Sequence, residues 1–298
     1  MSNRVGIVAA LASSALGGTA GALTRYLIGA SDPQTLATFR FGIAFVLLLP
    51  VASITRSRWP LRADLLGVVA LGVMYFFVFF FLYNLALSFT TAARGALALA
   101  TLPLTTMLVA AALGKENLTG RKTTGVLTAV IGVALALATG LRSAPLGAWR
   151  GDLIMIGATL IMACYTVWSR AFVQRSSRLG FLVTGMGAGS AVSFVLALSL
   201  GGIAHVSTWT VAQWTAGIAL GLLGGGAAFY LWTLALDHTT PTRVANTMTI
   251  NPVAAAVGGA LLVGEPIGLN LVFGIVSVAV GIWLASTEST SAATKHAT

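Results

Sequence analysis

Nine long stretches of this chain carry no charged side chain: residues 5–24, 41–55, 65–93, 95–114, 123–141, 153–169, 179–236, 244–264 and 266–287. About 20 apolar residues cross the hydrocarbon core of a bilayer, so a chain patterned in this way belongs in a membrane as a set of helices. The seventh stretch is too long for one helix, and GGIAHVSTWT at 201–210 offers a turn inside it. Ten spans follow. The shorter ones take in one or two polar residues at their ends, and Arg40 must enter the second span for that span to reach full length. The uncharged run of the first span exceeds a typical signal-peptide core, so it is read as a retained helix.

Composition agrees and excludes other classes. The chain is 57% hydrophobic and only 8% charged, against about 25% charged residues in soluble domains. A formal net charge of +10 would ordinarily raise nucleic acid as a partner. Here the basic residues stand singly or in short groups between apolar runs, with no soluble module to carry a basic face, so nucleic-acid binding is rejected. Cys164 is the single cysteine and forms neither an intramolecular disulfide nor a multi-cysteine metal site. An enzyme would need a buried acid–base pair or a metal cluster. His205, His238 and His296 all fall in predicted loops or the tail, so the chain is read as a non-enzyme with no metal and no cofactor.

Charge also orients the chain. With the N-terminus inside, twelve basic residues lie on the inner side (Arg4, Arg56, Arg58, Arg62, Lys115, Arg121, Lys122, Arg170, Arg175, Arg178, Arg243, Lys295) and five (Arg25, Arg40, Arg94, Arg142, Arg150) on the outer side or in spans. That asymmetry satisfies the positive-inside rule and puts both termini in the cytoplasm.

The segment LALSFTTAARGALALATLPLTTMLVAAALGKE is repeated in plan as LALDHTTPTRVANTMTINPVAAAVGGALLVGEP. Pro252 follows Pro103 by 149 positions, and the same offset pairs Thr90 with Thr239, Arg94 with Arg243, Glu116 with Glu265 and Gly132 with Gly281. Earlier segments match more loosely, Thr24 and Arg25 resembling Ser169 and Arg170 at an offset of 145. The chain is thus a duplication: a first repeat at 1–145, a second at 146–287, and a tail at 288–298. Five spans per half reverse the orientation, so the expected fold is an all-α membrane protein of ten transmembrane helices in two five-helix inverted-topology repeats.

These two segments resemble the signature halves of the drug/metabolite transporter superfamily, EamA type. Within it the chain is most similar to bacterial exporters of aromatic amino acids. The resemblance implies a ten-helix bundle around a central cavity lined by the first, third, fourth, sixth, eighth and ninth helices. It also implies a small amino-acid-like substrate, a place in a bacterial inner membrane, and action as a monomer, with a dimer as the alternative.

Candidate cavity residues come from residue types on those helices. Tyr75, Phe79 and Tyr83 recur every four residues and share a helical face. Tyr165 and Trp168 on the sixth span and Tyr230 and Trp232 on the eighth add aromatic surface that can stack on a ring or meet an ammonium group. A lipid-facing or interfacial position is the competing reading for each. Asn84, Asn246, Asn251, Thr19 and Thr101 could hydrogen-bond a carboxylate or amine. Pro103 and Pro252 each delete an amide donor in mid-span, freeing the carbonyls of Leu99 and Met248 and calling for a buried, bent helix, either as packing or as a hinge. Gly17 and Gly21, Gly185 and Gly189, and Gly217, Gly221 and Gly225 are spaced for close helix contact. The run Gly224, Gly225 and Gly226 is a candidate soft point.

All seven acids, Asp32, Asp64, Glu116, Asp152, Asp237, Glu265 and Glu288, fall at predicted helix ends or loops. A membrane-embedded carboxylate is the usual proton relay. Glu116 and Glu265 are therefore the candidate couplers, with a salt bridge or helix-end role competing. The reading is export by alternating access, by facilitated diffusion. A proton-coupled drug/metabolite antiporter is the alternative, or a sugar-phosphate or nucleotide-sugar exchanger, which would need several basic residues where only Arg40, Arg94 and Arg243 are near candidates.

Overall fold

The computed structural model describes residues 2–114, 119–140, 144–238 and 247–286. Among them every regular element is helical. Seven helices are long and apolar enough to cross a membrane, and three shorter apolar helices accompany them. In chain order they are α1 (Ser2–Leu27), α2 (Pro33–Ile54), α3 (Arg62–Phe89), α4 (Ala92–Ala112), α5 (Gly120–Thr139), α6 (Ala148–Arg175) and α7 (Arg178–Ser199). Next comes α8, formed by Val211–Ala219, Leu220–Ala227 and Ala228–His238, followed by α9 (Asn251–Val263) and α10 (Leu269–Ser286). The turn expected at 201–210 is a 3₁₀ helix, Gly202–Thr208, entered through Gly201 at φ 74°.

Four helices depart from regular α geometry, and they do so in pairs. α3 contains a π-helical segment, Val73–Phe79, and α8 contains another, Leu220–Ala227. α4 is broken between Leu99 and Leu102, and a 3₁₀ segment, Thr247–Ile250, precedes α9. Each break precedes a proline. Pro103 and Pro252 sit in the first turn of the helical piece that follows, where the missing amide would have had no intrahelical partner anyway. The prolines therefore end one helical piece and begin another, which is a sharper interruption than a kink.

Packing obeys an exchange rule. α1 lies against α9 and α8, α6 against α4 and α3, α2 against α7, and α5 against α10. Exchanging the first five helices for the last five turns this set of pairings into itself. Contact registers give the directions. α1 runs parallel to α9, since Ser14 meets Thr247 and Arg25 meets Glu265. α2 runs antiparallel to α7, with Asp32 near Gly202 and Phe45 near Gly187. α3 runs parallel to α7, with Gly72 on Gly185 and Phe76 on Gly189, and antiparallel to α6, with Ala86 near Gly151 and Phe172 near Gly67. Since a short loop joins α1 to α2, these directions make α6 run opposite to α1.

Glycines bring the helices this close. Gly72 and Gly185 touch backbone to backbone, and a methyl at Gly225 would collide with the Arg40 carbonyl of α2. Gly224, Gly225 and Gly226 are all buried. Their small size seats the π segment of α8 against α1 and α2.

Candidate functional site

The interrupted helices meet around one cavity of about 100 Å³, room for several waters and smaller than the roughly 300–1,000 Å³ of sites for drug-sized ligands. Its aromatic wall comes from α3 and α8: Tyr75, Phe79, Phe80, Tyr83, Phe229 and Trp232. The π turn brings Phe80 to this wall beside the face expected from fourfold spacing, because an i→i+5 turn shifts the register of all that follows. Tyr165 of α6 backs the wall, its ring stacked on Tyr75 at 4.3 Å between centroids. α1 contributes Ser13, Ser14 and Gly17. Ser13 Oγ donates to the Ala228 carbonyl at 2.7 Å, and Ser14 Oγ shares a 2.9 Å bond with Thr247 Oγ1. Leu99, Met248 and Asn251 line the cavity at the two helix breaks. Leu99 and Met248 lie four residues before the two prolines, at the breaks that precede them.

Charge enters through Arg40 of α2, which is only 5% exposed. Its Nη2 donates to the Gly224 carbonyl at 3.1 Å, while Nε and Nη1 are buried without a partner. The guanidinium carbon lies 4.6 Å from the Phe80 ring centre, 5.5 Å from Phe41 and 6.0 Å from Tyr83. Taking a charge out of water costs several kcal/mol even after relaxation. A desolvated cation–π contact returns about 2 kcal/mol and one hydrogen bond to a charged group about 1.5–3 kcal/mol. The balance is close, and the unpartnered N–H groups remain.

Arg94 and Arg25 differ from Arg40 in having a carboxylate partner, although Nη1 of Arg94 also lacks a hydrogen bond. Arg94 is bound by Asp152 and by the Leu137 carbonyl, and Thr90 Oγ1 donates to the same Asp152 carboxylate at 2.8 Å. Arg25 donates from Nε to Glu265 at 3.1 Å and from Nη1 to the Leu87 carbonyl at 3.0 Å. The second oxygen of Glu265 accepts from the Ala92 amide at 3.0 Å. Gly264, at φ 69°, turns the chain back so that Glu265 lies over Gly259. These two networks close one end of the bundle. At the other end Arg175 and Asp64 form an exposed pair.

Of the residues expected from sequence, the structure gathers Tyr75, Phe79, Tyr83, Trp232, Asn251 and Gly224 at the cavity. Trp168 and Tyr230 stand 43% and 41% exposed on the outside of the bundle, where an aromatic meets lipid or its interface. Thr19 and Thr101 hydrogen-bond carbonyls of their own chain segment, those of Ala15 and Ala98. Glu265 is an ion-pair partner at a helix end. Asn246 and Glu116 lie outside the described residues. Ser13, Ser14, Phe80, Met162 and Phe229 line the cavity without having been singled out. No spacing marks them. Arg40 does carry a signal, a cation required inside a span.

Two copies of one family pattern cover almost the whole chain: the EamA-like transporter family model matches residues 4–138 and 149–287. The chain belongs to the EamA-like transporter family. It is a multi-pass membrane transporter of the drug/metabolite superfamily. This EamA-like chain is 26% identical over 268 residues to the uncharacterized transporter YyaM of Bacillus subtilis, covering 89% of this chain and 88% of that one. It is 30% identical over 234 residues to an uncharacterized protein of Pseudomonas aeruginosa, covering 77% and 75%. A solved protein crystal structure shares the fold with a TM-score of 0.68 at 22% identity, over 97% of this chain and 98% of its own.

Proposed function

We propose that this EamA-like transporter exports small amino-acid-like metabolites, aromatic and other hydrophobic amino acids foremost, across a bacterial inner membrane. The observation that carries the reading is the aromatic wall enclosing one cavity where the broken helices α4 and α9 meet α1, α3 and α8. A flat ring or apolar side chain gains buried area and stacking there. In this reading the seven long and three shorter helices make ten crossings. Supporting it are the paired family matches, the paired π segments and helix breaks, the exchange symmetry of the packing, and the opposite directions of α1 and α6. Two inverted five-helix repeats, 1–145 and 146–287, then rock about the cavity in alternating access. The distribution of basic residues supports termini in the cytoplasm. The protein acts as a monomer.

The sugar-phosphate reading loses ground because Arg94 is neutralised by Asp152, leaving Arg40 as the basic residue among the described cavity lining. A phosphate dianion would meet one guanidinium. The deciding experiment is purified protein in liposomes loaded with a panel of labelled amino acids, with sugar phosphates and nucleotide sugars alongside. Efflux of phenylalanine, tyrosine or leucine above protein-free vesicles supports the proposal. Efflux of phosphorylated compounds alone overturns it.

A further inference from the structure

We infer that Arg40 is the anchor for a carboxylate on the transported molecule, so that the substrates of this cavity are organic monoanions or zwitterions with an apolar body. The inference rests on the cavity being the transport site, and it adds the part of the substrate that the aromatic wall leaves unspecified.

Four of the acids have described side chains, and each is committed elsewhere: Asp32 caps α2, Asp64 meets Arg175, Asp152 meets Arg94 and Glu265 meets Arg25. Arg40 has no such partner among the described residues, and Nε and Nη1 are buried without a hydrogen bond. A guanidinium carries five N–H donors and no acceptor; the Gly224 carbonyl takes one and the Tyr83 hydroxyl lies beside it as a neutral acceptor, which leaves donors for a ligand or water oxygen. Its setting is also unlike that of the structural arginines. Arg25 and Arg94 bind carboxylates that tie helix ends together, whereas Arg40 lines the cavity next to Phe80 and Tyr83.

The neighbours define what the anion is attached to. Phe79, Tyr83 and Trp232 face the same space, so a molecule whose carboxylate reaches Arg40 lays its carbon skeleton on aromatic rings. Charge-assisted hydrogen bonds to a carboxylate are about twice as strong as neutral ones. An amine with the same skeleton would instead bring its cation to a cation. The cavity should therefore separate acids from amines of equal size.

The test uses the full chain, purified in detergent, with thermal midpoint and liposome efflux as readouts. The probes are L-phenylalanine, 3-phenylpropionate, phenethylamine and, without a ring, 4-methylpentanoate. In the wild type the carboxylates should raise the midpoint and compete for one site, with phenethylamine at least tenfold weaker. Arg40→Gln should weaken the carboxylates at least tenfold and narrow the gap to the amine. Arg40→Lys, which keeps the charge, should recover part of the affinity and guards against a folding defect in the first variant. The inference is overturned if no carboxylate shifts the wild-type midpoint, if phenethylamine binds as well as phenylalanine, or if Arg40→Gln transports phenylalanine as the wild type does. In that last case the aromatic-export reading survives alone. If 4-methylpentanoate binds through Arg40 while no ring compound does, the carboxylate anchor stands and the preference for aromatic substrates falls.

Discussion

Arg25 and Glu265 lie 240 positions apart and meet at 3.1 Å, joining the end of α1 to the turn after α9. Through its other oxygen Glu265 holds the first amide of α4, and through its other nitrogen Arg25 holds the last turn of α3. One ion pair thus gathers four helix ends over the cavity. Any cycle that opens this end of the bundle must part them.

Because both side chains are largely shielded, at 20% and 9% exposure, the pair should show as energetic coupling. Arg25→Gln and Glu265→Gln should each lower the thermal midpoint. The double variant should lose less than their sum, with a coupling on the order of 1 kcal/mol or more. Strict additivity in denaturation of the purified protein would show that the two residues act separately.

Helix contact gives a second test. Gly225 faces the Arg40 carbonyl with no room for a methyl group, while nothing lies within 4 Å of the methyl that Gly42 would gain. Gly225→Ala should cost about 1–3 kcal/mol by overpacking and should also displace Arg40. Gly42→Ala, in the interior of α2, should be neutral or stabilising by up to about 1 kcal/mol from helix propensity. Equal effects of the two on thermal stability would contradict the packing described.

The difference between these glycines is invisible in the sequence, where both sit in apolar runs, and other features divide in the same way. Pro103 and Pro252 announce helix breaks wherever they occur, and their common offset says that the breaks are related. The π segments have no such marker. Fourfold spacing finds Tyr75, Phe79 and Tyr83 but passes over Phe80, because the extra residue in the turn is chosen by packing against neighbouring helices. Arg40 and Arg94 look alike as cations in apolar surroundings. Which of them meets a carboxylate depends on Asp152, 58 positions from Arg94, and so on tertiary structure alone.

Placement separates the aromatic candidates as well. Tyr75 is 4% exposed and stacked between Phe79 and Tyr165, whereas Trp168 is 43% exposed. Tyr75→Ala should raise the KM for an aromatic substrate about tenfold, since an aromatic pair contributes about 0.5–1.5 kcal/mol beyond its buried area. Trp168→Ala and Tyr230→Ala should stay within about twofold of wild type, as surface changes usually do. Efflux kinetics at matched protein abundance decide it, and a larger loss at Trp168 than at Tyr75 would move the substrate path to the outside of the bundle.

Energy coupling is the last expectation. Proton exchange through a membrane calls for a titratable group that each side can reach in turn, and the described cavity lining holds Arg40, Tyr75 and Tyr83 but neither carboxylate nor histidine. Arginine stays protonated and tyrosine neutral across the physiological range, so neither cycles a proton at working pH. Glu265 lies outside that lining, held by Arg25 and the Ala92 amide. Facilitated export is the outcome expected under the proposed function: substrate binding would shift the balance between the two open states, and its own gradient would supply the direction. In liposomes the wild type should bring labelled phenylalanine to equal concentrations inside and out, at a final level unchanged by an imposed pH difference. Glu265→Gln should alter the rate of approach without altering that level. Accumulation above equilibrium driven by a proton gradient, and abolished in Glu265→Gln or Glu116→Gln, would instead make those acids the couplers.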